Sequence, residues 1–598
     1  MPVGARPFLL TSSDTPWWLR GIGHLAERAL GLQRLQQVHD AIEQQVGPGH
    51  TDPGPWLEAA MNWLGLDLDL PEGDLERIPA SGACIVAAEH PTGAMEGILM
   101  LALLRRRRPD VKLLANQFLA RIPALQDLVI PIDVFTNGSQ QNGRAMRQTF
   151  RHLANGGVLL VFPAGEVAGR ALLRKGKAKE RPWQPTVAGL QRRTGAPVVP
   201  VHVSADNPAW FHAAGALHAR LRTATLGHAL LAQVGRAVGV RVGHAIRADQ
   251  TARFAEDDRA RCDYLRLRTE ILARRRDLRP PTRTQVQAHT DVAARGCVDA
   301  LASEIAALPA TAKLLTGNGM DVFCVRAGEA PQVLAEIGRL REVTFRNVGE
   351  GSGNAHDLDR FDASYRHLFV WDPAAREIVG AYRLGLTDEL LAAGGPAAIY
   401  TSEFYDYDAR LWERLSPALE LGRSFVQPRY QKSFAPLLLL WRGIGAFVAQ
   451  NPRYRQLFGT VSISADHHAT SVRLMVDHLR QHCLHEELAG HVRSRAPFAP
   501  TAAHDTLRWE PQQIADLQDV SAMVRELEVG RAGVPVLMEQ YLKLGAKLLG
   551  VNVDPAFHTV DALVVVDLLA APNHLLLRYL GAAGVATLQA AHATVASA

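Results

Sequence analysis

Short apolar runs alternate with amphipathic stretches through the first half of the chain. The runs Cys84–Ala88 (CIVAA), 158–162 (VLLVF) and 197–203 (PVVPVHV) are apolar throughout, as in strands that are buried on both faces of a sheet. The stretches 142–154 and 185–193 have the mixed polar and apolar spacing of helices. This alternation predicts an α/β layer.

The second half alternates in a similar way. Its pattern predicts helices at 331–343 and 534–549. The apolar segment 436–441 fits either a core helix or the wall of an acyl tunnel. The predicted strands are Met320–Arg326, 368–371, 377–384, Ala418–Val426, 461–464 and 562–568.

A charged, proline-rich segment at 274–287 separates the two halves. A chain of 598 residues is long enough for two or more cores. We therefore place a domain boundary near residue 285, which gives an N-terminal domain at 1–285 and a C-terminal domain at 286–598.

Composition narrows the classes of function. Apolar residues make up 47% of the chain and charged residues 21%, which is typical of a globular protein. The formal charge of +5 suits an anionic membrane surface or an acidic carrier protein, but it is too small and dispersed to indicate nucleic acid as a partner. Five scattered cysteines without a CxxC pair indicate neither a disulfide framework nor a zinc site, and reduced cytoplasmic thiols are expected.

The sequence shows neither a secretory signal nor an apolar stretch of the roughly 20 residues that a spanning helix needs. We expect a protein that lies on the inner face of the cytoplasmic membrane rather than one that crosses it.

The first candidate site follows the run CIVAA. His90 begins His-Pro-Thr-Gly, a tight loop that would open a helix, and Glu96 follows six residues later. A carboxylate that turns back to the imidazole fixes its tautomer and raises its basicity, as general-base catalysis requires. The predicted base would take a proton from an alcohol that attacks a thioester.

A second motif, Phe-Pro-Ala-Gly-Glu, follows the run VLLVF, and Arg170 comes soon after it. Glycine permits close approach of a ligand to the backbone, and arginine is suited to a phosphate or carboxylate. The order of H-P-x-G-x-x-E-G, F-P-x-G-E and a V-P-V strand resembles the glycerolipid (lysophosphatidate-type) acyltransferase family over about residues 75–250. The resemblance implies that His90 is the base, that Glu96 is its partner, and that the acyl acceptor is bound by Phe162, Pro163, Gly165, Glu166 and Arg170.

Two features depart from that family. Its usual acid is an aspartate one position earlier than Glu96, and the loop after the third strand is Ser-Ala-Asp-Asn-Pro at 204–208 instead of Gly-Arg-Asn-Ser. An inactive N-terminal domain that serves only for membrane docking therefore stays open as an alternative.

The second candidate site is a dense set of acids and arginines between residues 336 and 426. Carboxylates beside strands can bind a cationic amine and deprotonate it, and only a neutral amine attacks a thioester. Interleaved arginines can hold a carboxylate or the arm of a carrier. Glu350, Asp359 and Glu420 all qualify as the amine base, and we favour Glu420. His367 is interpreted as structural.

This pattern resembles the Gcn5-related N-acetyltransferase (GNAT) fold, and within it the autoinducer (acyl-homoserine lactone) synthases. The stretch of about 310–580 is more similar still to the ornithine-lipid N-acyltransferases, on segments such as 430–445 (YQKSFAPLLLLWRGIG) and 457–464 (LFGTVSIS). The resemblance implies a GNAT-like mixed-sheet α/β domain. It carries over the functional positions Arg341, Phe345, Asp359, Asp362, Arg383, Glu420 and Arg423.

Together the two resemblances imply a bacterial bifunctional enzyme of ornithine-lipid biosynthesis. The C-terminal domain would transfer a 3-hydroxyacyl group from acyl carrier protein to L-ornithine. The N-terminal domain would then acylate the hydroxyl of the resulting lyso-ornithine lipid. Neither step requires a metal or redox cofactor. Glycine, lysine or glutamine as the acceptor remain open, as does a non-catalytic, haemolysin-like membrane-active protein.

Overall fold

A computed structural model of the chain describes residues 6–11, 15–47, 52–116, 119–132, 140–169, 180–217, 219–275, 290–500, 507–528 and 533–593. The chain divides into two compact units, Met1–Arg275 and Arg276–Ala598. The division lies shortly before the boundary predicted near residue 285, and that position itself falls outside the described residues.

The N-terminal unit is built on a seven-stranded sheet in the order β1-β7-β6-β2-β5-β3-β4. The central strands β2, β5 and β6 run parallel to β3 and β4, whereas β7 is antiparallel to β6. The strands are β1 Asp67–Asp69, β2 Cys84–Ala88, β3 Val111–Asn116, β4 Val129–Ile132, β5 Val158–Val161, β6 Val198–Ser204 and β7 Ala237–Val242.

Helices cover this sheet and connect its strands. Every residue of β2 and β5 is buried, which confirms the prediction from their apolar sequences. The three helices that precede β1 were not predicted. The helices are α1 Trp17–Ala29, α2 Leu32–Val46, α3 Pro53–Leu64, α4 Ala94–Arg105, α5 Gln140–Ala154, α6 Thr186–Thr194, α7 Ala209–Leu217, α8 Ala219–Ala224, α9 Leu226–Leu231 and α10 Asp258–Leu272.

The C-terminal unit has an eight-stranded sheet in the order β16-β17-β14-β13-β11-β10-β9-β8, and β12 and β15 form a small sheet of their own. Adjacent strands of the large sheet are antiparallel, except that β13 and β14 are parallel. The strands are β8 Lys313–Gly317, β9 Met320–Arg326, β10 Arg366–Asp372, β11 Glu377–Leu386, β12 Tyr405–Tyr407, β13 Ala418–Val426, β14 Gln456–Ser464, β15 Val492–Ser494, β16 Lys547–Asp554 and β17 Thr559–Asp567.

The helices of this unit include the one predicted at 331–343, which is longer than expected and carries Phe345 on its last turns. The apolar segment 436–441 lies in a helix whose Leu439, Leu440 and Trp441 are buried, as expected of a core helix. The helices are α11 Val298–Ala306, α12 Pro331–Val348, α13 Thr387–Gly394, α14 Ala409–Leu415, α15 Ala435–Gln450, α16 Ala469–His482, α17 Leu517–Leu527, α18 Val536–Lys543 and α19 Asn573–Ala593.

The prediction of a single helix over 534–549 is wrong for the second part of that range. Helix α18 ends at Lys543, Gly545 takes a left-handed conformation (φ 87°), and β16 begins at Lys547. Glycine adopts that conformation without steric cost, so it ends the helix. The β-branched Val551 and Val553 then fit a strand that pairs with β17.

The strands β13 and β14 stay together only briefly. They pair at Ala418, Leu419 and Glu420, and beyond that point the two strands separate. The ladder between β13 and β11 is interrupted opposite this point, and Arg423 has a positive φ of 45°. A bulge, or a residue other than glycine with a left-handed backbone, costs conformational free energy. Such features often redirect a side chain at a functional site.

Among the described residues, every helix is too short or too polar to span a membrane.

Candidate active sites

The first site is a loop between a central strand and the helix that follows it. His90 comes directly after β2, and Gly93 (φ 109°) turns the chain into α4. Glu96 in the first turn of α4 points back, and its Oε1 lies 3.0 Å from Nδ1 of His90. The predicted pairing of acid and imidazole is therefore present.

The Glu96 carboxylate is held by backbone donors and is fully buried. The amides of Thr92 and Gly93 each donate to it at 2.8 Å, and the Thr92 hydroxyl donates as well. Burial alone would raise the pKa of Glu96, but the nearby His90 and these donors hold that pKa below its ordinary value. A carboxylate that stays ionised is suited to orient the imidazole.

The other side of the imidazole is partly open. The ring stacks on Phe162 with 4.5 Å between the ring centroids, and the side chain of His90 is 19% exposed. Since Nδ1 faces Glu96, Nε2 is the nitrogen that remains to accept a proton. The loop can therefore serve a hydroxyl that enters from solvent or from a bound lipid.

The motif Phe-Pro-Ala-Gly-Glu lies beside this loop. Gly165 has a φ of 68°, and a side chain built on it would meet nothing within 4 Å, so open space lies in front of the backbone. Glu166 forms ion pairs with Arg222 and, at 3.2 Å, with Arg181. The Pro163 carbonyl accepts a hydrogen bond from the Gln184 amide at 2.8 Å.

The second site begins with a buried network of arginines and aspartates. Arg341 on α12 donates to Asp362 at 2.8 Å, and both side chains are nearly inaccessible to solvent. Arg383 on β11 donates to Asp359 at 2.6 Å and lies 3.3 Å from Asp362. Burial alone would raise the pKa of Asp362, but the two guanidinium groups lower it to about 2.

Arg423 lies in the part of β13 that no longer pairs with β14. Its guanidinium lies 3.5 Å from Asp357 and packs over the rings of Phe345, Tyr400 and Phe557, with 4.7 Å to the last of these. Its Nε is buried without a hydrogen-bond partner among the described residues. A buried guanidinium with unused donors is suited to bind a carboxylate.

Glu350 follows the left-handed Gly349 that ends α12. Burial and the neighbouring carboxylate of Asp561 raise the pKa of Glu350 to about 7, although Arg423 opposes the shift. Among the described residues, no donor hydrogen-bonds to its carboxylate. A carboxylate with these properties is suited to take a proton from an ammonium group near neutral pH.

Glu420, favoured as the base from the sequence, does not fit that role. It is 1% exposed, and its two oxygens accept hydrogen bonds from the Tyr365 hydroxyl, the Tyr400 amide at 3.1 Å and the Thr401 amide at 2.8 Å. These donors occupy both oxygens, so Glu420 anchors the turn that carries Tyr400. Of the three candidates for the base, Glu350 is the one whose carboxylate accepts no hydrogen bond from the described residues, since Asp359 accepts from the Phe361 amide and from Arg383.

Comparison with known proteins matches both units. A model described as "Acyltransferase" matches residues 53–278, and a model described as "Acetyltransferase (GNAT) domain" matches residues 340–441. The glycine N(alpha)-acyltransferase of Bacteroides thetaiotaomicron is 31% identical over 272 residues, which cover 43% of this chain and 80% of that protein.

The chain belongs to the family of this N-acyltransferase.

Further relatives include both kinds of acyltransferase. The L-ornithine N(alpha)-acyltransferase of Agrobacterium fabrum is 28% identical and matches 38% of this chain and 72% of its own length. The lyso-glycine lipid O-acyltransferase of Phocaeicola vulgatus is 27% identical and matches 26% of this chain and 54% of its own length. The 1-acyl-sn-glycerophosphate acyltransferase of Thermotoga maritima covers 44% of this chain and 94% of its own at 16% identity, with a TM-score of 0.26.

The acyltransferase family membership confirms the predicted fold class: the N-terminal unit is an acyltransferase-type α/β domain and the C-terminal unit is GNAT-like. The matched stretches contain the two sites, with His90 and Glu96 in the first and Arg341 to Arg423 in the second. Acyl transfer is therefore the chemistry of this protein.

The structure brings together most of the residues that the sequence of this acyltransferase singled out. At the first site, His90, Glu96 and Phe162 are in contact, Pro163 and Gly165 shape the adjacent turn, and Arg170 lies outside the described residues. At the second site, the connected positions are Arg341, Phe345, Asp359, Asp362, Arg383, Glu420 and Arg423. His367 bonds to the Asp362 carbonyl, and burial lowers its pKa to about 4, which fits a structural role.

Two residues near His90 were not identified as site residues from the sequence. Glu180 accepts hydrogen bonds from the His90 amide and from the Trp183 indole, and burial with the nearby Glu89 raises its pKa to about 7. Asn207 donates to the carbonyls of Pro91 and Thr92 at 3.3 and 3.2 Å. Neither stands in a motif with His90, because these contacts join segments 90 or more residues apart. The only sequence signal was the unusual loop at 204–208, which contains Asn207.

Proposed function

We propose that this acyltransferase makes an amino-acid lipid by two successive transfers. The C-terminal unit N-acylates L-ornithine with a 3-hydroxyacyl group carried by acyl carrier protein. The N-terminal unit then O-acylates the hydroxyl of the resulting lyso-ornithine lipid, again from acyl carrier protein. The proposal rests chiefly on one observation: a single chain holds an imidazole paired with a buried carboxylate in one unit and a half-buried carboxylate near a guanidinium in the other.

At the C-terminal site, the carboxylate of Glu350 takes a proton from the α-ammonium group of the amino acid. The neutral amine then attacks the thioester carbonyl, so a C–N bond forms and the C–S bond breaks. The carrier leaves as a thiolate and is protonated by solvent or by the base. Arg423, with its unused Nε donor, holds the α-carboxylate of the acceptor.

The charges around this site favour an acceptor with a second cationic group. Glu350 lies within electrostatic reach of two further acids, Asp466 and Asp561, and of one guanidinium, that of Arg423. An amino acid with an ammonium group on its side chain would balance these carboxylates, whereas glycine would leave them facing one another. This balance supports ornithine, and it keeps lysine as the nearest competitor.

At the N-terminal site, Nε2 of His90 takes the proton from the 3-hydroxyl of the lyso-lipid as its oxygen attacks the second thioester. A C–O bond forms, a C–S bond breaks, and the imidazolium that arises is stabilised by Glu96. Neither step draws on a metal or redox cofactor. Because the acceptor is a lipid, we place the enzyme at the cytoplasmic surface of the membrane.

The test is a reconstitution with the purified full-length chain. We expect 3-hydroxyacyl-carrier and labelled ornithine to give a one-chain product, and addition of a second acyl-carrier to give a two-chain product. Parallel reactions with glycine, lysine and glutamine measure the acceptor preference. A faster reaction with glycine than with ornithine would contradict the proposed acceptor, and failure to add the second chain to supplied lyso-lipid would leave an enzyme with N-acylation alone.

A further inference from the structure

Helix α5 of the N-terminal unit carries a stripe of arginines that neither site uses. Arg144, Arg147 and Arg151 are three and four residues apart, so they lie on one face of the helix, and all three are exposed. With Lys112 at the start of β3 and His152, they line a cavity of about 470 Å³. We call this surface the α5 basic face.

The charges of the α5 basic face are not balanced by any residue in the part of the chain that the structure describes. Among the described residues, no acid forms an ion pair with the three arginines or with Lys112. Asp110, the acid next to His152, is bound by Arg108 through hydrogen bonds of 2.7 and 2.8 Å. Like charges at these spacings repel one another, although Arg151 in the last turn of α5 interacts favourably with the helix dipole. A partner that supplies negative charge would relieve the repulsion.

The α5 basic face runs from the edge of the sheet where β3 and β5 begin, at Lys112 and His152, towards the opposite edge, which carries His90. Helix α5 leads into β5, which lies beside β2, and the residue that follows β5 is Phe162, the ring that stacks on His90. As the crossover between parallel strands, α5 runs back along them, so Arg144 lies nearer than Arg151 to the sheet edge that carries His90. The stripe from Arg144 to Arg151 extends about 10 Å along the helix towards that edge.

The composition of the face distinguishes a protein partner from a membrane. A helix that lies in a bilayer surface combines basic residues with exposed aromatic and aliphatic side chains. Among the described residues, no large apolar side chain of α5 or β3 is exposed, whereas Trp18, Ile22 and Leu25 on α1 are 59–71% exposed. The α5 basic face is therefore polar and concave, which suits an acidic protein surface.

We propose that the α5 basic face is the docking surface for the acidic acyl carrier protein that supplies the thioester to the His90 site. This inference rests on the proposed O-acylation and assigns a surface to its donor. Docking brings the carrier to the unit that contains His90, and electrostatic attraction raises the rate of encounter.

The experiment compares two donors in the full-length enzyme with lyso-lipid supplied. The variant Arg144→Glu/Arg147→Glu reverses two charges of the face, and Arg236→Glu/Arg247→Glu reverses two exposed arginines elsewhere in the same unit. We expect the first variant to raise KM for the acyl carrier protein about tenfold or more, while its rate with acyl-pantetheine, a small uncharged thioester, stays at the wild-type value. The control variant should match the wild type with both donors.

Salt provides a second readout. For the wild type, KM for the carrier should rise with ionic strength, and for Arg144→Glu/Arg147→Glu this dependence should be much weaker. An unchanged rate of O-acylation with acyl-pantetheine shows that the N-terminal unit of the variant is folded, and N-acylation by the separate C-terminal unit should be unchanged as well.

An unchanged KM for the carrier in Arg144→Glu/Arg147→Glu would overturn the proposal. So would loss of binding to vesicles containing phosphatidylglycerol without any effect on carrier kinetics in detergent, because that result would assign the face to the membrane. Titration of the carrier onto wild-type and variant chains measures docking without turnover. It therefore tests the surface even if O-acylation itself is absent.

Discussion

The two sites assemble their charged groups over very different distances along the chain. At the N-terminal site, His90 and Glu96 come from one loop and the first turn of one helix. At the C-terminal site, the groups come from α12, the segment 357–362, β11 and β13. A site built from one loop can be recognised in the sequence together with its roles. A site built from several elements can be recognised as a pattern, but its roles depend on which groups meet.

Burial differs between the sites as well. His90 is 19% exposed, whereas Arg341 and Arg383 are 0% and 1% exposed. Removal of the imidazole leaves the buried Glu96 carboxylate, which still accepts hydrogen bonds from the Thr92 and Gly93 amides and from the Thr92 hydroxyl. Removal of one arginine leaves a buried aspartate without its partner, and this lowers the free energy of unfolding. We therefore expect His90 variants to lose activity with little loss of stability, and variants of the second network to lose both.

The largest effect is expected for His90→Ala. Loss of a general base costs about a hundredfold to ten-thousandfold in rate, so O-acylation should fall by that factor while N-acylation is retained. Mass spectrometry of the products should then show the one-chain lipid accumulating. His24→Ala, which removes a 57% exposed histidine of the same unit, is the matched control and should behave as the wild type. Two-chain product at the wild-type rate would remove His90 from the mechanism.

Glu350→Gln tests the choice of base at the second site. The base acts when deprotonated, and its pKa is raised to about 7, so wild-type kcat/KM for N-acylation should rise as pH increases through about 7. The variant should lose about a hundredfold or more in rate and lack this rise. Glu403→Gln, at an exposed acid of the same unit, is the control. A rise near pH 7 that persists in Glu350→Gln would assign the base to another group.

The same substitution should also stabilise the fold. A carboxyl group whose pKa is raised in the folded state contributes stability below its unfolded pKa, and that contribution is lost as pH rises through the folded value. Ionisation of Glu350 in the folded protein therefore lowers the free energy of unfolding, and Glu350→Gln removes that loss. We expect it to be more stable than the wild type by roughly 1–3 kcal/mol at pH 8 and equal to it near pH 4. Thermal unfolding at the two pH values measures the difference.

The features that could be predicted from the sequence are those that neighbouring residues encode, and contacts between distant segments could not be predicted. The strand Cys84–Ala88, the loop at His90 and the turn at Phe162 were predictable because local apolar runs, proline and glycine encode them. The choice between Glu350 and Glu420 was not, because it depends on whether Tyr365 and the amides of Tyr400 and Thr401 occupy the carboxylate. Glu180 and Asn207 were out of reach for the same reason.

Glu420→Gln separates a structural carboxylate from a catalytic one. The amide cannot accept hydrogen bonds on both sides, so at least one buried donor loses its partner, at a cost of about 1–3 kcal/mol. We expect a lower melting temperature with the rise in kcat/KM still centred near pH 7. If the stability were unchanged and the pH dependence disappeared, Glu420 would be the base and Glu350 would not.

The smallest effect is expected for Asn207→Ala. Its side chain ties the carbonyls of Pro91 and Thr92 to the loop after β6, so its loss should let the His90 loop shift. We expect a cost of about 1–3 kcal/mol and a several-fold decrease in kcat for O-acylation. N-acylation should stay unchanged, and Asn62→Ala on the surface of α3 is the control. An equal loss in both transfers would point to general destabilisation instead.

The central claim is that one chain carries out two acyl transfers at two separate sites. Its most direct test is lipid mass spectrometry of a bacterial host without aminolipids that expresses the wild type, His90→Ala or Arg423→Ala. The account predicts an ornithine lipid with two chains from the wild type, a one-chain lipid from His90→Ala, and neither from a folded Arg423→Ala. Two-chain lipid from His90→Ala, or one-chain lipid at normal levels from Arg423→Ala, would contradict it.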